Sequence, residues 1–295
     1  MSFSIKSALA PMMKPGLRDV HLAVFLFGFS GLFGKFLLCS PVVIVFGRTV
    51  FAALFLLPFF LVARKDTPVP PAMFLIQFLI QGALLALHWC TFFISIQIST
   101  VAIGLLTFST FPLFVTFMEP FFFKEPLALK NCVVALVVFV GLVLVIPSFD
   151  FSREPAQGAM WGVASGFTFA LLGLVNRKNV KTVPPLTVSF YQNLFAAFFL
   201  LPWMVWLSPD ISFPTPRELM LLMLLGGVCT ALAHSLFIKA LVHIKTRTAG
   251  VITALEPLYG ILMAMIFLGE MPGWRTALGG VIIIGGTLVA MTGHD

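Results

Sequence analysis

Apolar residues run along this chain in blocks far longer than a strand and without the polar stripe of a surface helix, and short clusters of proline, glycine and charge separate them. A hydrocarbon layer of roughly 30 Å takes about 20 residues of helix to cross, so each block predicts one spanning helix. Ten such segments lie near residues 17–38, 42–63, 71–96, 99–122, 128–146, 156–176, 186–207, 217–241, 247–268 and 273–292. The breaks fall at Ser40-Pro41, Arg64 to Pro71, Lys124-Glu125-Pro126, Pro147 to Pro155, Pro184-Pro185, Pro209 to Pro216 and Met271-Pro272-Gly273. Most connections are short, which makes consecutive helices antiparallel neighbours.

Composition turns this pattern into a membrane protein. The 295 residues are 60% hydrophobic and 10% charged, with a mean hydropathy of +1.07, whereas soluble chains carry about 25% charged residues. Most soluble enzymes and nucleic-acid-binding modules are excluded, and the net charge of +7 is a matter of topology. Lys6, Lys14, Arg18, Arg64, Lys65, Lys124, Lys130, Arg177, Lys178, Lys181, Lys239, Lys245 and Arg247 fall on the side where the first helix begins. Arg153, Arg217 and Arg275 fall on the other, and Lys35 and Arg48 lie within or near spans. This asymmetry predicts both termini in the cytoplasm, as an even helix count requires, in a bacterial cytoplasmic (inner) membrane. Cys39, Cys90, Cys132 and Cys229 form no C-x-x-C pair and read as small hydrophobes, and the first helix is expected to stay uncleaved.

The chain also repeats itself. A shift of 145 residues lays Gly82 on Gly227, Ala86-Leu87 on Ala231-Leu232, Phe92 on Phe237, Pro112-Leu113 on Pro257-Leu258, Glu125 on Glu270 and Gly141 on Gly286. A shift of 144 lays Phe51 to Pro58 on Phe195 to Pro202 with one mismatch. One register held through several helices indicates duplication, with 1–150 and 151–295 as the two units. Each unit has five helices, an odd number, so the second starts on the opposite face of the membrane. The expected fold class is therefore an all-α membrane protein with ten transmembrane helices in two inverted five-helix repeats, an arrangement characteristic of secondary transporters.

The tail of each half carries a resemblance. Thr107 to Leu142, with Pro112, Phe123-Lys124-Glu125 and a glycine-punctuated last helix, and Thr253 to Thr287, with Pro257, Leu268-Gly269-Glu270 and Gly279-Gly280, resemble the drug/metabolite transporter superfamily of EamA type. Within it the chain looks most like the YddG-type exporters of aromatic and other amino acids. The resemblance implies ten helices, a central cavity between the halves and export of small metabolites. Two departures bear on substrate: Phe27-Gly28 stands where many members have Trp-Gly, which appears here as Trp161-Gly162, and Lys124 replaces a small residue.

Candidate binding residues follow from depth. Of eleven carboxylates only Glu256 lies near the midplane, roughly 13 Å into its helix, where an ionisable group is costly unless it faces protein or water. Either a functional charge or a structural hydrogen bond beside Pro257 fits. Pro257 and its repeat mate Pro112 interrupt their helices at mid-depth and release the carbonyls of Thr253 and Phe108. Trp89 and His234 are repeat mates, and His88, Tyr191, Gln192 and Asn193 add polar or aromatic groups. For His88 and His234 a hydrogen bond between helices is the favoured reading. Arg48, the repeat mate of Gln192, is expected to snorkel toward lipid phosphate, with a substrate carboxylate as the alternative. Phe92, Trp161, Phe237 and Tyr259 are candidates for an aromatic cavity wall, and lipid contact is the plain reading of each.

The chain carries no H-E-x-x-H, G-x-G-D or phosphate-loop motif, so no cofactor, metal or nucleotide is expected. The expected activity is secondary export of small metabolites, amino acids above all and aromatic ones among them, by alternating access. A drug or quaternary-cation exporter is the alternative in transport; an intramembrane enzyme or a lipid scramblase is the alternative outside it. The expected partners are a small-molecule substrate and the lipid bilayer, not nucleic acid.

Overall fold

The computed structural model describes residues 16–63, 72–124, 129–146, 150, 152–179, 183–206, 214–243 and 252–292. Lys6, Lys14, Arg64, Lys65, Asp66, Glu125, Lys181, Asp210, Lys245, Arg247 and Asp295 lie outside the described residues. Among those described, all regular structure is helical: α1 (Leu17–Ser30), α2 (Phe33–Phe36), α3 (Pro41–Ala63), α4 (Ala72–Ile98), α5 (Val101–Phe108), α6 (Phe111–Phe123), α7 (Leu129–Val145), α8 (Glu154–Asn179), α9 (Pro185–Trp206), α10 (Pro216–Gly226), α11 (Ala233–His243), α12 (Glu256–Leu268) and α13 (Trp274–Thr292). A π-helical turn, Gly227–Leu232, joins α10 to α11. Seven helical stretches are long and apolar enough to cross a membrane, and three shorter apolar helices accompany them, giving the ten expected crossings. The piece count exceeds ten because α1 and α2, α5 and α6, and α10 and α11 are each one crossing with an interruption.

The break between α5 and α6 and the start of α12 have a common cause. Proline lacks an N–H, so it fits the first turn of a helix and not its interior. Pro112 and Pro257 accordingly sit in the first turn of α6 and α12 instead of kinking a continuous helix. The Phe108 carbonyl that Pro112 was expected to release lies against Gly166 of α8, where a Cβ would approach it to 2.9 Å. That close approach packs the break against α8, and both Phe108 and Thr253 line the cavity described below.

The repeat is visible in the packing. A Cβ on Gly82 of α4 would lie 2.6 Å from the Cβ of Phe195 and 2.8 Å from the nitrogen of Ala196 in α9. One on Gly226 of α10 would lie 2.6 Å from the Cβ of Phe51 and 3.0 Å from the nitrogen of Ala52 in α3. These are one contact made twice, with the halves exchanged, at positions 144 apart. Gly141 against Ile283 and Gly286 against Val138 repeat the pattern between α7 and α13. The last turns match as well: α6 ends on Lys124 at φ 56° and α12 on Gly269 at φ 67°, 145 positions apart.

Helices α4 with α8 and α11 with α1 pair across the halves, as do α9 with α3 and α4. The tightest packing lies toward the end of the bundle where α2 meets α3. There Leu32, Phe33, Leu37, Ile44, Phe93, Ile96, Leu105, Leu222 and Leu225 are all fully buried. Burying aromatic and branched side chains this completely favours a closed seam at that end. Below, this is the sealed side, and the end where α1 begins is the N-side.

Candidate functional site

Below the seal a cavity of about 490 Å³ opens between the halves, within the range of small-molecule sites. The apolar part of its wall is mostly aromatic: Phe27 of α1, Trp89 and Phe92 of α4, Phe108 and Phe111 at the α5–α6 break, Phe169 of α8 and Phe237 of α11. The polar groups are Ser30, Arg48, His88, Asn176, Ser189, Gln192, His234, Thr253 and Glu256. Asn176, Val188, Ser189 and Gln192 lie in the turns nearest the α8–α9 junction, so the cavity runs from mid-depth toward the N-side.

Arg48 is the best-held group. Its guanidinium carbon lies 3.7 Å from the centroid of the Trp89 ring. Its Nε donates to Thr230 Oγ1 at 2.8 Å, and Thr230 in turn donates to the Leu225 carbonyl through the π-helical turn. The side chain is 3% exposed. This corrects the expectation that Arg48 snorkels: stacking on Trp89 and a hydrogen bond across the halves hold it inward, where a cation over a desolvated indole is stabilised. Glu256, from the other half, is the first residue of α12 and lines the same cavity. The N-terminal end of a helix favours a carboxylate, which offsets part of the cost of placing one at this depth.

The histidines differ from one another. His88 joins helices as expected: Ser165 Oγ lies 2.8 Å from its Nδ1 and donates to its carbonyl at 3.1 Å. The ring also packs on Phe169 and Phe108 at centroid distances of 4.8 and 5.2 Å. His234 meets the Phe27 ring edge to face at 5.1 Å.

Seven expected binding residues, Arg48, His88, Trp89, Phe92, His234, Phe237 and Glu256, thus surround one cavity. Two do not. Trp161 is 41% exposed on the outer surface of α8, because a Trp early in a span satisfies its amphipathic ring at the lipid interface. Tyr259 lies beside the wall, with its hydroxyl 3.2 Å from His21 Nδ1 and its ring against Phe25. Phe111, Phe169 and Asn176 line the cavity without having been singled out, and Phe27, noted only as a departure from the family pattern, lines it too. Nothing in composition separates these phenylalanines from the others among 34, although Asn176, an amide within an apolar span, was a usable signal.

Polar ties close the sealed side. Lys35 Nζ donates to the Ser99 and Gln97 carbonyls at 2.7 and 3.2 Å, Gln97 Nε2 donates to the Cys39 carbonyl at 2.9 Å, and Cys39 Sγ donates to Glu218 Oε1 at 3.2 Å. Glu270 Oε2 accepts from the Val101 nitrogen at 2.9 Å, capping α5 from the other half.

A bundle of apolar helices in two related halves, enclosing a mid-depth cavity sealed at one end, defines an integral membrane protein of the transporter class. The sequence profile of the EamA-like transporter family matches twice, over residues 20–146 and 156–292, and the chain belongs to that family. A protein of Rickettsia bellii named as an S-adenosylmethionine uptake transporter is 28% identical over 249 residues, covering 83% of this chain and 81% of the relative. An uncharacterized transporter of Archaeoglobus fulgidus is 25% identical over 281 residues, covering 94% and 97%. One solved crystal structure superposes with a TM-score of 0.67 at 18% identity, over 93% of this chain and 95% of the other, which is a likeness of fold.

Proposed function

We propose that this protein is a secondary transporter of α-amino acid metabolites, which binds them between its halves and works by alternating access. The observation that carries the reading is that Arg48 and Glu256, one from each half, face a single cavity with a largely apolar wall. Arg48 is fitted to a substrate carboxylate and Glu256 to an ammonium, so a zwitterion satisfies both buried charges and spares each an unpaired burial. A purely cationic drug would leave Arg48 unanswered, which ranks the quaternary-cation alternative second. The aromatic wall suits aromatic amino acids, and it equally suits a sulfonium, whose positive charge an aromatic face attracts. S-adenosylmethionine, the substrate in the name of the Rickettsia relative, carries the same amino-acid end.

Alternating access follows from the asymmetry of the seal. With the N-side as the cytoplasmic side, as the cations of the chain imply, the cavity faces inward. Opening the other way parts the ties of Lys35 and Glu270 while the N-side closes. Such a cycle runs in either direction, and gradients decide between the export expected from the family resemblance and the uptake in the relatives' name.

The purified full chain in liposomes preloaded with unlabelled solute tests the reading. Counterflow of labelled amino acids or S-adenosylmethionine without ATP is the expected result. Counterflow of quaternary cations alone, with no zwitterion exchanged, would overturn it.

A further inference from the structure

At the N-side end of the cavity four amides from three helices converge. Gln192 Nε2 of α9 donates to Asn176 Oδ1 of α8 at 2.6 Å and to Gln81 Oε1 of α4 at 3.3 Å. Gln81 is fully buried, its Nε2 has no partner, and Gln77 Oε1, one turn earlier on α4, has none either. Only four buried side-chain atoms among the described residues lack a partner, and two of them lie on this one face of α4. Each such atom is costly in an apolar bundle, and the amides that Gln81 backs, Gln192 and Asn176, are the ones that reach the cavity.

The bonding pattern says what that ligand presents. Gln192 spends its amide nitrogen on its neighbours, and Asn176 spends its oxygen on Gln192. Gln192 Oε1 and Asn176 Nδ2 are the ends of the two amides not spent within this cluster, and both residues line the cavity. An acceptor beside a donor, held by a third amide behind them, complements a planar group that offers a donor beside an acceptor. The amino-purine edge of adenine, with its exocyclic amine next to a ring nitrogen, is such a group, and side-chain amides pair with it in two places at once.

Distance separates this cluster from the charged pair. Gln81 precedes Trp89, on which Arg48 stacks, by eight residues of continuous helix, so the two levels are roughly 12 Å apart along the axis. A small amino acid held at Arg48 does not reach the amides; a molecule with an amino acid at one end and a base at the other does. Resting on the amino-acid reading given above, we infer that Gln192 and Asn176, backed by Gln81, form a second subsite that binds the amino-purine of a nucleoside bearing a free α-amino acid.

Two amino acids with the same sulfonium separate the subsite from the reading beneath it: S-adenosylmethionine, and S-methylmethionine, which lacks the nucleoside. In liposome counterflow the wild-type chain should exchange both. Gln192→Leu should weaken S-adenosylmethionine about tenfold while leaving S-methylmethionine within about twofold. Should that variant fail to reconstitute, the wild-type chain still decides through competition by the deaminated analogue of S-adenosylmethionine, in which a carbonyl replaces the exocyclic amine. Competition about tenfold weaker than that of S-adenosylmethionine itself supports the subsite. Equal competition, an equal loss for both substrates in the variant, or competition by free glutamine in place of the nucleoside would overturn it. Exchange of no amino acid at all by the wild-type chain would instead remove the reading on which the subsite rests.

Discussion

The two halves agree in how they pack and differ in what they present to the cavity. Gly82 against Phe195 and Gly226 against Phe51 are the same contact with the halves exchanged, and Pro112 and Pro257 open equivalent helices. At positions that face the cavity the equivalents have diverged: Arg48 stands opposite Gln192, Trp89 opposite His234 and Phe111 opposite Glu256. A duplicated scaffold must keep its helix crossings to fold in either orientation, because backbone contacts tolerate no Cβ. Its cavity side chains carry no such duty. The cation therefore comes from one half and the anion from the other, and both must be present for a zwitterion to bridge the halves.

The divergence breaks most easily at the charges. Arg48→Gln, which gives the first half the side chain of the second, is expected to lower zwitterion exchange about tenfold or more. Glu256→Gln should do the same and flatten the dependence of exchange on pH between about 5.5 and 8. Normal insertion with an unchanged rate in either variant would take that charge out of the mechanism.

The shared scaffold is tested by adding bulk at its paired crossings. Gly82→Val and Gly226→Val each force a side chain into backbone at under 3 Å, and each should destabilise by about 1–3 kcal/mol. Thermal unfolding in detergent reads both, and a large loss in one with none in the other would show that the crossings are unequal.

A smaller contrast lies at the two left-handed helix ends. Lys124 and Gly269 occupy the same conformation, which a side chain disfavours by roughly 1–2 kcal/mol. Gly269→Lys should therefore lower stability by about 1 kcal/mol, and Lys124→Gly should raise it by less, since glycine also gains freedom in the unfolded chain. Matching unfolding curves for Gly269→Lys and the wild-type chain would contradict the assignment.

The smallest expected effect concerns the sealed side, where burial and then the hydrogen bond to Glu218 push the Cys39 thiol up to about 12. Almost none of it is thiolate at neutral pH, so maleimide labelling should be slow and should quicken in Glu218→Gln. Fast labelling of the wild-type thiol at pH 7 would show that the tie between Cys39 and Glu218 does not hold.

How far the sequence could be read depended on what each residue type is confined to. Long apolar blocks have one solution in a bilayer, and the prolines at 112 and 257 kept a common register, so helix number and duplication were legible. Glu256 and the histidines stood out because ionisable groups are rare at that depth. Phe27, Phe111 and Phe169 did not, because a phenylalanine facing a cavity and one facing lipid are chemically alike. Trp161 misled for the same reason, and Arg48 because its inward anchor, Thr230, comes from the other half of the chain. Gln77 and Gln81 share one face of a helix at a spacing of four residues, a pattern available in advance and overlooked beside the charged residues.

The π-helical turn at Gly227–Leu232 gives the second half a property its partner does not share among the described residues. A π turn holds a surplus residue relative to an α turn; this one contains Thr230, which anchors Arg48, and precedes His234 and Phe237, which line the cavity. Winding that surplus out would rotate everything downstream by about 100° around the helix axis, the angle of one α-helical residue. It would carry His234 and Phe237 off the cavity wall and bring their neighbours onto it. Such rewinding would also move those residues by about 1.5 Å along the axis, so a change of winding within this one helix would exchange the cavity lining and shift the helix against its neighbours together.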